Sequence, residues 1–305
     1  MDPLLLLQQT LNGLQLGVML FLMAAGLTLI FGIMDFINLA HGAFYMLGAY
    51  LAAWLAGLFD AFVPSVAVAL LLTAIVGFLV ELVVARELYR RDHLYQVLAT
   101  FGLVLFFDEL VKLLFGPQPI FLEPPPWLEG QVELFGAPYP VVRLAIIATG
   151  LASAVFLWWL IARTRLGMLI RAGADNREMV QALGVDIATL FALVFALGAA
   201  FAALAGAMAG TIVAVRIGMG EEILILTFVV VVVGGIGSIR GAFVGALLVG
   251  LVDTWGRALL PGLLGLVFER SVADAAGAAL APMAIYVLMA LVLAFRPQGL
   301  LPARG

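Results

Sequence analysis

The sequence predicts an all-α integral membrane protein. Hydrophobic residues make up 65% of the 305 residues, charged residues only 11%, and the mean hydropathy is +1.20. Soluble domains are about half apolar and about a quarter charged, so a water-soluble globule is excluded. Uncharged or nearly uncharged stretches of helical-span length recur along the whole chain, and a bilayer crossing needs about 20 such residues.

Eight to nine hydrophobic segments follow from these stretches, some of them discontinuous or re-entrant. Charge-free segments cover 3–34, 36–59, 61–80, 144–162, 187–215 and 275–295. Segments 94–115, 223–239 and 241–260 are further candidates, although the first and last carry charges. Within them, Glu109 with Lys112 and Asp253 with Arg257 have the spacing of local ion pairs on a helix.

The distribution of arginine predicts the orientation of a single transmembrane domain, 1–305. Arginines cluster near residues 86–91, in the loop 163–186, at Arg240 and at the C-terminal tail. By the positive-inside rule these parts face the cytoplasm. The loop 116–140 contains three glutamates, a run of three prolines and no basic residue, so it is predicted as an extended external linker. The N-terminus is then outside and the C-terminus cytoplasmic.

Two stretches predict an internal repeat. "LTLIFGIMDFINLAHGAF" (27–44) and "LTFVVVVVGGIGSIRGAF" (226–243) align without a gap and share both ends. Each is interrupted, at 32–41 in the first and at 234–240 in the second. Apolar segments broken at matching points are typical of discontinuous helices beside a site near the bilayer midplane. Chance similarity between membrane helices rich in glycine and alanine is the alternative.

The first interruption carries Asp35, Asn38 and His41. On one continuous helix their spacing of three would place them within an arc of about 120°. That face avoids lipid, because a charge at the bilayer centre costs about 3 kcal/mol. The residues therefore form either a short cytoplasmic turn or, together with Gly42, part of the translocation path or its gate.

The second interruption, "GGIGSIRGA" (234–242), offers Gly234, Gly235, Gly237 and Ser238 for the same path or gate. Its glycines permit positive φ angles, and amides freed at the break would bind a polar or carboxylate group inside a protein cavity. A Walker A loop is excluded because it needs a lysine after its last glycine, and the only lysine is Lys112.

The sequence contains few residues that would suit another function. The chain has no cysteine and two histidines on separate elements, so no catalytic residue, metal site or bound cofactor is predicted. The net charge of −4 does not indicate nucleic acid as a partner.

The loop 163–186 is predicted to contain a short helix, 176–183. Asp175 with Glu178 matches a capping box, and Gly184 supplies a stop. Two turns are unstable alone in water, so the helix needs a support. Its apolar residues suit either the groove of a cytoplasmic partner or the membrane surface.

Three stretches resemble one family. "GLTLIFGIMDFINLAHGAFYMLGAYLA" resembles the N-terminal signature of branched-chain amino acid ABC importer permeases, specifically the H-type (LivH-like) membrane subunit. "RTRLGMLIRAGADNREMVQALGVD" resembles the coupling loop of these permeases, and "VVVVVGGIGSIRGAFVGALLVG" their glycine-rich late segment. The resemblance implies the ABC importer permease fold in a bacterial inner membrane and four partners: an M-type permease, two ATPase subunits that hold ATP and Mg²⁺, and a periplasmic substrate-binding protein.

The resemblance also implies that 176–183 is the coupling helix moved by the ATPases. The residues expected to couple are Arg171, Asp175, Asn176, Glu178, Met179, Val180, Leu183 and Gly184. Related urea and amide permeases resemble "MAHGELLM" where this chain has "LAHGAFYM", which favours amino acids and leaves amides as an alternative.

Two other classes stay open on the residues alone. One is an ion-coupled secondary transporter that works alone through Asp35, Asp108, Glu109 and Asp253. The other is an intramembrane enzyme, which the lack of a nucleophile with a base disfavours.

Overall fold

A computed structural model, which describes residues 3–302, forms helices in all of the predicted hydrophobic segments. Apolar chain in a bilayer satisfies its backbone hydrogen bonds within helices. The helices are α1 (Pro3–Met34), α2 (His41–Phe59), α3 (Phe62–Val80), α4 (Arg86–Leu88), α5 (His93–Phe115), α6 (Val141–Arg163), α7 (Arg165–Asp175), α8 (Arg177–Ala182), α9 (Ile187–Gly210), α10 (Met219–Gly234), α11 (Ile239–Leu264), α12 (Arg270–Leu280) and α13 (Met283–Phe295).

Fewer helices than predicted have the length and hydropathy of a span. Six of the helices within 3–302 qualify, namely α1, α2, α3 with its extension to Leu88, α6, α9 and α11. The pair α12 and α13, bent by 51°, makes a seventh if it crosses as one span. Helix α10 has only 16 residues, and α5 carries three charges in its second half. The predicted count of eight to nine segments is therefore not confirmed as a count of spans.

Small residues hold the centre of the molecule together. Helix α1 packs along α11 and α9, and α2 packs along α9 and α3. A Cβ added at Gly206 of α9 would overlap the Tyr45 carbonyl, and one at Gly17 would lie 2.9 Å from Leu247 Cα. Lipid gives little hydrophobic force between helices, so such close backbone packing is a main source of stability here.

The loop 116–140 differs from the predicted extended linker, because it contains a β-hairpin. Strands β1 (Gln131–Leu134) and β2 (Ala137–Pro140) pair antiparallel, with Leu134 opposite Ala137. The turn residues Phe135 and Gly136 have φ angles of 54° and 84°, as a two-residue hairpin turn requires. The hairpin was not predicted because the prolines and the Phe-Gly turn hide the strand pattern.

The two ends of the bundle carry different loops. At one end Gln8 Nε2 donates to the Pro138 carbonyl over 3.2 Å, so the start of α1 meets the hairpin. At the other end Asp35 Oδ2 lies 4.0 Å from His93 Nε2, which places the end of α1 beside the arginine-rich segment after α3. The loop 163–186 and the C-terminal tail also lie at this second end. We call it the basic end.

Candidate translocation site and coupling loop

Both predicted interruptions break helices, at matching positions of the repeat. Helix α1 ends at Met34 and α2 begins at His41, while α10 ends at Gly234 and α11 begins at Ile239. The two breaks also touch, since a Cβ on Gly32 would lie 3.2 Å from Gly237 Cα. The two predicted breaks are confirmed, while the internal repeat itself stays a prediction.

The first break turns the chain back into the protein. Asp35 ends α1 with a φ of 52°, and its N–H donates to the Phe31 carbonyl over 2.9 Å. After it the chain runs inward until His41 Nε2 lies 3.1 Å from the Met23 carbonyl. Met23 lies eleven residues before the end of α1, about 16 Å along the axis at about 1.5 Å per residue. Helix α2 thus begins well inside the bundle.

The expected single face of Asp35, Asn38 and His41 is wrong. Asp35 is exposed at the basic end, whereas Asn38 and His41 have no exposed surface. Asp35 has a positive φ angle and is followed by a non-helical stretch. The residues after it therefore do not continue the helical spacing of α1. Asp35 therefore borders water while the other two line the interior.

Buried polar atoms without partners mark this inner part. Within 3–302, Asn38 Oδ1, Asn38 Nδ2 and His41 Nδ1 are buried and have no hydrogen-bond partner. Each such group costs about 1–3 kcal/mol when it stays unpaired. Groups retained at that cost are candidates for contact with a passing solute.

Gly42 lies where the inner starts of two helices meet. A Cβ at Gly42 would overlap the carbonyl of Gly220, at the start of α10, and a Cβ at Gly220 would overlap the carbonyl of Gly42. Both α2 and α10 therefore begin at the same inner level. Any larger residue at Gly42 would push these two helices apart.

The second break is covered by the C-terminal tail. The Leu300 and Leu301 amides donate to the carbonyls of Val233 and Gly234 over 2.9 and 3.0 Å. These carbonyls belong to the last turn of α10, where backbone carbonyls have no hydrogen-bond partner within the helix. Gly235, with a φ of 111°, lies against the tail, where a Cβ would be 3.0 Å from the Gln298 carbonyl.

Two of the four amides of this break are paired, and those of Ile236 and Gly237 have no hydrogen-bond partner within 3–302, so the expected free donors are present in part. Gly235 N–H donates to the Val231 carbonyl over 2.9 Å, and Ser238 N–H to the Gly235 carbonyl over 3.1 Å. Ser238 Oγ accepts the Gly241 amide over 3.0 Å and so caps α11. Gly237, with a φ of 77°, is the glycine of this break that borders open space.

One cavity joins both breaks to the loop 163–186. It has a volume of about 950 Å³ at the basic end, and its charged lining residues are Asp35, Arg171, Asp175 and Arg177. Gly32 and Gly237 supply the adjoining wall. The structure thus brings together the predicted residues Asp35, Gly237, Arg171 and Asp175, whereas Asn38, His41 and Gly42 lie deeper.

The loop 163–186 consists of α7 and α8. Thr164 caps α7, and its Oγ1 accepts the Gly167 amide over 3.0 Å. Helix α7 packs on the end of α1, since a Cβ on Gly173 would lie 3.7 Å from Ile33 Cγ2. Asp186 then caps α9, and hydrogen bonds from the Thr189 hydroxyl and amide lower the pKa of this carboxyl.

Helix α8 corrects two details of the prediction. Asn176, not Asp175, is the cap, because Asn176 Oδ1 accepts the Met179 amide over 2.9 Å while Asp175 is still in α7. Val180 is buried, whereas Met179 and Leu183 are 58% and 77% exposed. The apolar face therefore has two exposed members instead of three. Gly184, with a φ of 85°, ends the segment as predicted, and Glu178 is exposed.

Charged residues at the start of α10 were missed. Arg216 Nη2 lies 2.6 Å from Glu222 Oε2, and Glu221 is the residue between this pair and Gly220. Both glutamates are exposed beside Gly220, at the inner level where α2 and α10 meet. The sequence signal for these residues is the pair Glu221-Glu222 directly before an apolar run.

Two of the four carboxylates offered for an ion relay, Glu109 and Asp253, are neutralised by a cation on the same helix. Lys112 Nζ lies 3.3 Å from Glu109 Oε1, and Arg257 Nε 2.9 Å from Asp253 Oδ2, which confirms both predicted pairs. These pairs stand on separate helices. A continuous relay between them is not apparent in the part of the chain described.

A multi-span helical protein with two touching helix breaks and a cavity beneath them has the architecture of a membrane permease. The chain belongs to the family described as "branched-chain amino acid transport system / permease component", whose model matches residues 9–294.

Named relatives agree with this family. The chain is 32% identical to the high-affinity branched-chain amino acid transport system permease protein BraD of Pseudomonas aeruginosa, over 97% of this chain and 95% of that protein. It is 29% identical to the permease protein LivH of Escherichia coli K12, over 83% and 87% of the two chains. A probable LivH of Methanocaldococcus jannaschii is 26% identical over 77% and 76%. No solved structure gives a significant match.

Proposed function

We propose that this chain is the permease subunit of an ATP-binding cassette importer for branched-chain or other small apolar amino acids. It pairs with a second, M-type permease, while two ATPase subunits bind ATP and Mg²⁺ and a periplasmic binding protein delivers the solute. The N-terminus faces outward and the basic end faces the cytoplasm, in agreement with the arginine distribution.

The observation that carries this proposal is the physical connection from α8 to both breaks. Met179 and Leu183 present an exposed apolar pair beyond the basic end. Helix α7 leads from them to Ile33 of α1, and Arg171 on α7 lines the cavity beside Gly237. A displacement of α8 by an ATPase therefore reaches the two points where the spans are interrupted. An apolar pair at i and i+4 suits a groove in that partner.

The solute path in this proposal runs past the inner ends of α2 and α10. Asn38 and His41 offer unpaired donors and acceptors to the polar ends of an amino acid, and apolar walls accept its side chain. Glu221 lies where it would meet the ammonium group, whereas Glu222 is already paired with Arg216. Helix breaks at this level let backbone and side chains exchange partners as the path opens.

The test is a reconstituted importer with Leu183→Asp. A carboxylate on the exposed face would be desolvated in an apolar groove, so uptake of leucine per ATP hydrolysed should fall at least tenfold. Gln181→Asp is the matched control: it adds the same charge to α8 about 160° away around the helix and should leave coupling within twofold.

Normal coupled uptake in Leu183→Asp would contradict the role of α8. Leucine uptake driven by a proton or sodium gradient in liposomes that contain this chain alone would instead establish a secondary transporter. Competition by acetamide or urea, but not by isoleucine or valine, would move the substrate to amides.

A further inference from the structure

An open apolar groove runs between α1, α6 and α11, apart from the cavity under the breaks. It has a volume of about 880 Å³. Leu151, Val155 and Trp158 of α6 form one exposed wall. The floor includes Phe21 and Phe243, whose ring centroids lie 5.1 Å apart in an edge-to-face contact. These side chains leave a lengthwise apolar trough on a helix that qualifies as a membrane span.

The length of the groove matches one leaflet of a bilayer. Its wall on α6 extends from Leu151 to Ala162, one residue before the end of that helix. Eleven residues at about 1.5 Å each give about 16 Å. Half of a hydrocarbon core of about 30 Å is nearly the same depth. The groove therefore suits an acyl chain that enters from the basic end.

The end of the groove is cationic. Arg171 of α7 and Arg240 of α11 line it, and no aspartate or glutamate does. Both arginines are exposed, and neither takes part in an ion pair with any residue of 3–302. Arg171 also lines the cavity under the breaks, together with Asp35 and Asp175, but it forms no ion pair with either carboxylate. A ligand of the groove would thus meet two guanidinium groups without ion-pair partners above an apolar trough.

We propose that this groove binds an anionic phospholipid, with an acyl chain along α6 and the phosphate between Arg171 and Arg240. Guanidinium groups bind phosphate oxygens in pairs, and basic pockets between membrane helices on the cytoplasmic side select anionic headgroups. Trp158, 52% exposed in the same wall, has the interfacial character that borders a headgroup. A zwitterionic lipid has the same chain, but its own cation opposes the arginines.

The bound lipid would stabilise α7. Arg171 projects from the helix that packs on α1 beside the first break, so a phosphate held by Arg171 and Arg240 ties α7 to the start of α11. Lipid composition then affects the position of the loop 163–186. This inference rests on the groove and its charges, and it stands whether or not the proposed importer function is right.

The experiment measures lipid binding to the full chain in its co-purified complex. Delipidated complex in mild detergent is titrated with phosphatidylglycerol and with phosphatidylcholine of identical acyl chains, and bound lipid is counted by native mass spectrometry. The native complex should bind phosphatidylglycerol at least tenfold more tightly. Arg171→Gln with Arg240→Gln should lose about thirtyfold of that affinity, which is about 2 kcal/mol at about 1.4 kcal/mol per tenfold.

A matched control removes two other arginines from the same end. Arg163→Gln with Arg165→Gln takes away the same charge outside the groove and should change affinity less than threefold. If the first double variant does not assemble, Arg240→Gln alone should still lose about fivefold at about 1 kcal/mol per arginine.

Three results would overturn the proposal. Equal binding of the two lipids would show that the headgroup charge does not contribute to affinity. Equal losses of affinity in both double variants would show that the arginines attract lipid only through the general surface charge. The third uses the absence of cysteine from the sequence, so Val155→Cys gives a single reactive site. A cross-link from that cysteine to a protein partner in the complex would show that a helix, not a lipid, covers the groove.

Discussion

The buried ion pair at the end of α3 gives a prediction whose magnitude follows from the structure. Glu81 has no exposed side-chain surface; Arg86 Nη2 lies 3.0 Å from Glu81 Oε2, and the Tyr89 hydroxyl donates to Glu81 Oε1 over 2.9 Å. The π turn Glu81–Ala85 brings residues five apart into line. Arg86→Met keeps most of the apolar stem of the side chain and leaves the carboxylate buried without its cation.

The expected loss is about 3 kcal/mol of unfolding free energy. Removing one partner of a buried pair costs about 3–5 kcal/mol, and the low end applies because Arg86 is 36% exposed. Lys112→Met is the control. It leaves Glu109, which is 74% exposed, outside the protein interior, and should cost less than about 1 kcal/mol.

The assay is equilibrium unfolding by sodium dodecyl sulfate in mixed micelles, followed by helical circular dichroism. Glu81→Gln combined with Arg86→Met removes the buried, unpaired charge and should recover at least half of the lost unfolding free energy. Equal, small losses for Arg86→Met and Lys112→Met would refute the reasoning, since burial would then make no difference to the pair.

Three further predictions concern the breaks and the loop. Asn38→Leu replaces a buried unpaired amide, so the unfolding free energy should stay level or rise by about 1 kcal/mol in the same assay while solute uptake falls. Gly42→Ala forces α2 from Gly220 and should cost about 1–3 kcal/mol, whereas Gly57→Ala, with nothing within 4 Å, should cost nothing. Asn176→Ala removes the cap of α8 and should speed hydrogen exchange of the Met179 amide about fivefold, equivalent to about 1 kcal/mol.

Much of the helical framework was predictable because hydropathy is a local property. Charge-free runs located α1, α2, α3, α6 and α9 closely, and the aligned repeat located both breaks within three residues. Ion pairs such as Asp253 with Arg257 also followed, since both partners lie on one helix. In each case the information needed for the prediction lies within one segment of sequence.

The predictions that were wrong concern how deep a residue lies in the protein and which distant segments touch each other. A spacing of three places Asp35 and His41 on one face only if the helix continues, and the positive φ angle at Asp35 ends it. The hydrogen bonds from Leu300 and Leu301 to the end of α10 join residues more than sixty positions apart, and no local pattern encodes them. Aspartate and asparagine cap helices almost equally well. Asn176 is the cap of α8 because α7 extends through Asp175.

The two breaks are built for different tasks, although their sequences align. The first buries Asn38 and His41 with unpaired polar atoms and exposes Asp35, so its inner polar groups have no fixed hydrogen-bond partners within 3–302. The second is closed by hydrogen bonds from the tail and by the serine cap of α11. A break with paired groups resists deformation more than one with unpaired groups. Motion transmitted by α7 should therefore change the first break more, with the second break as its support.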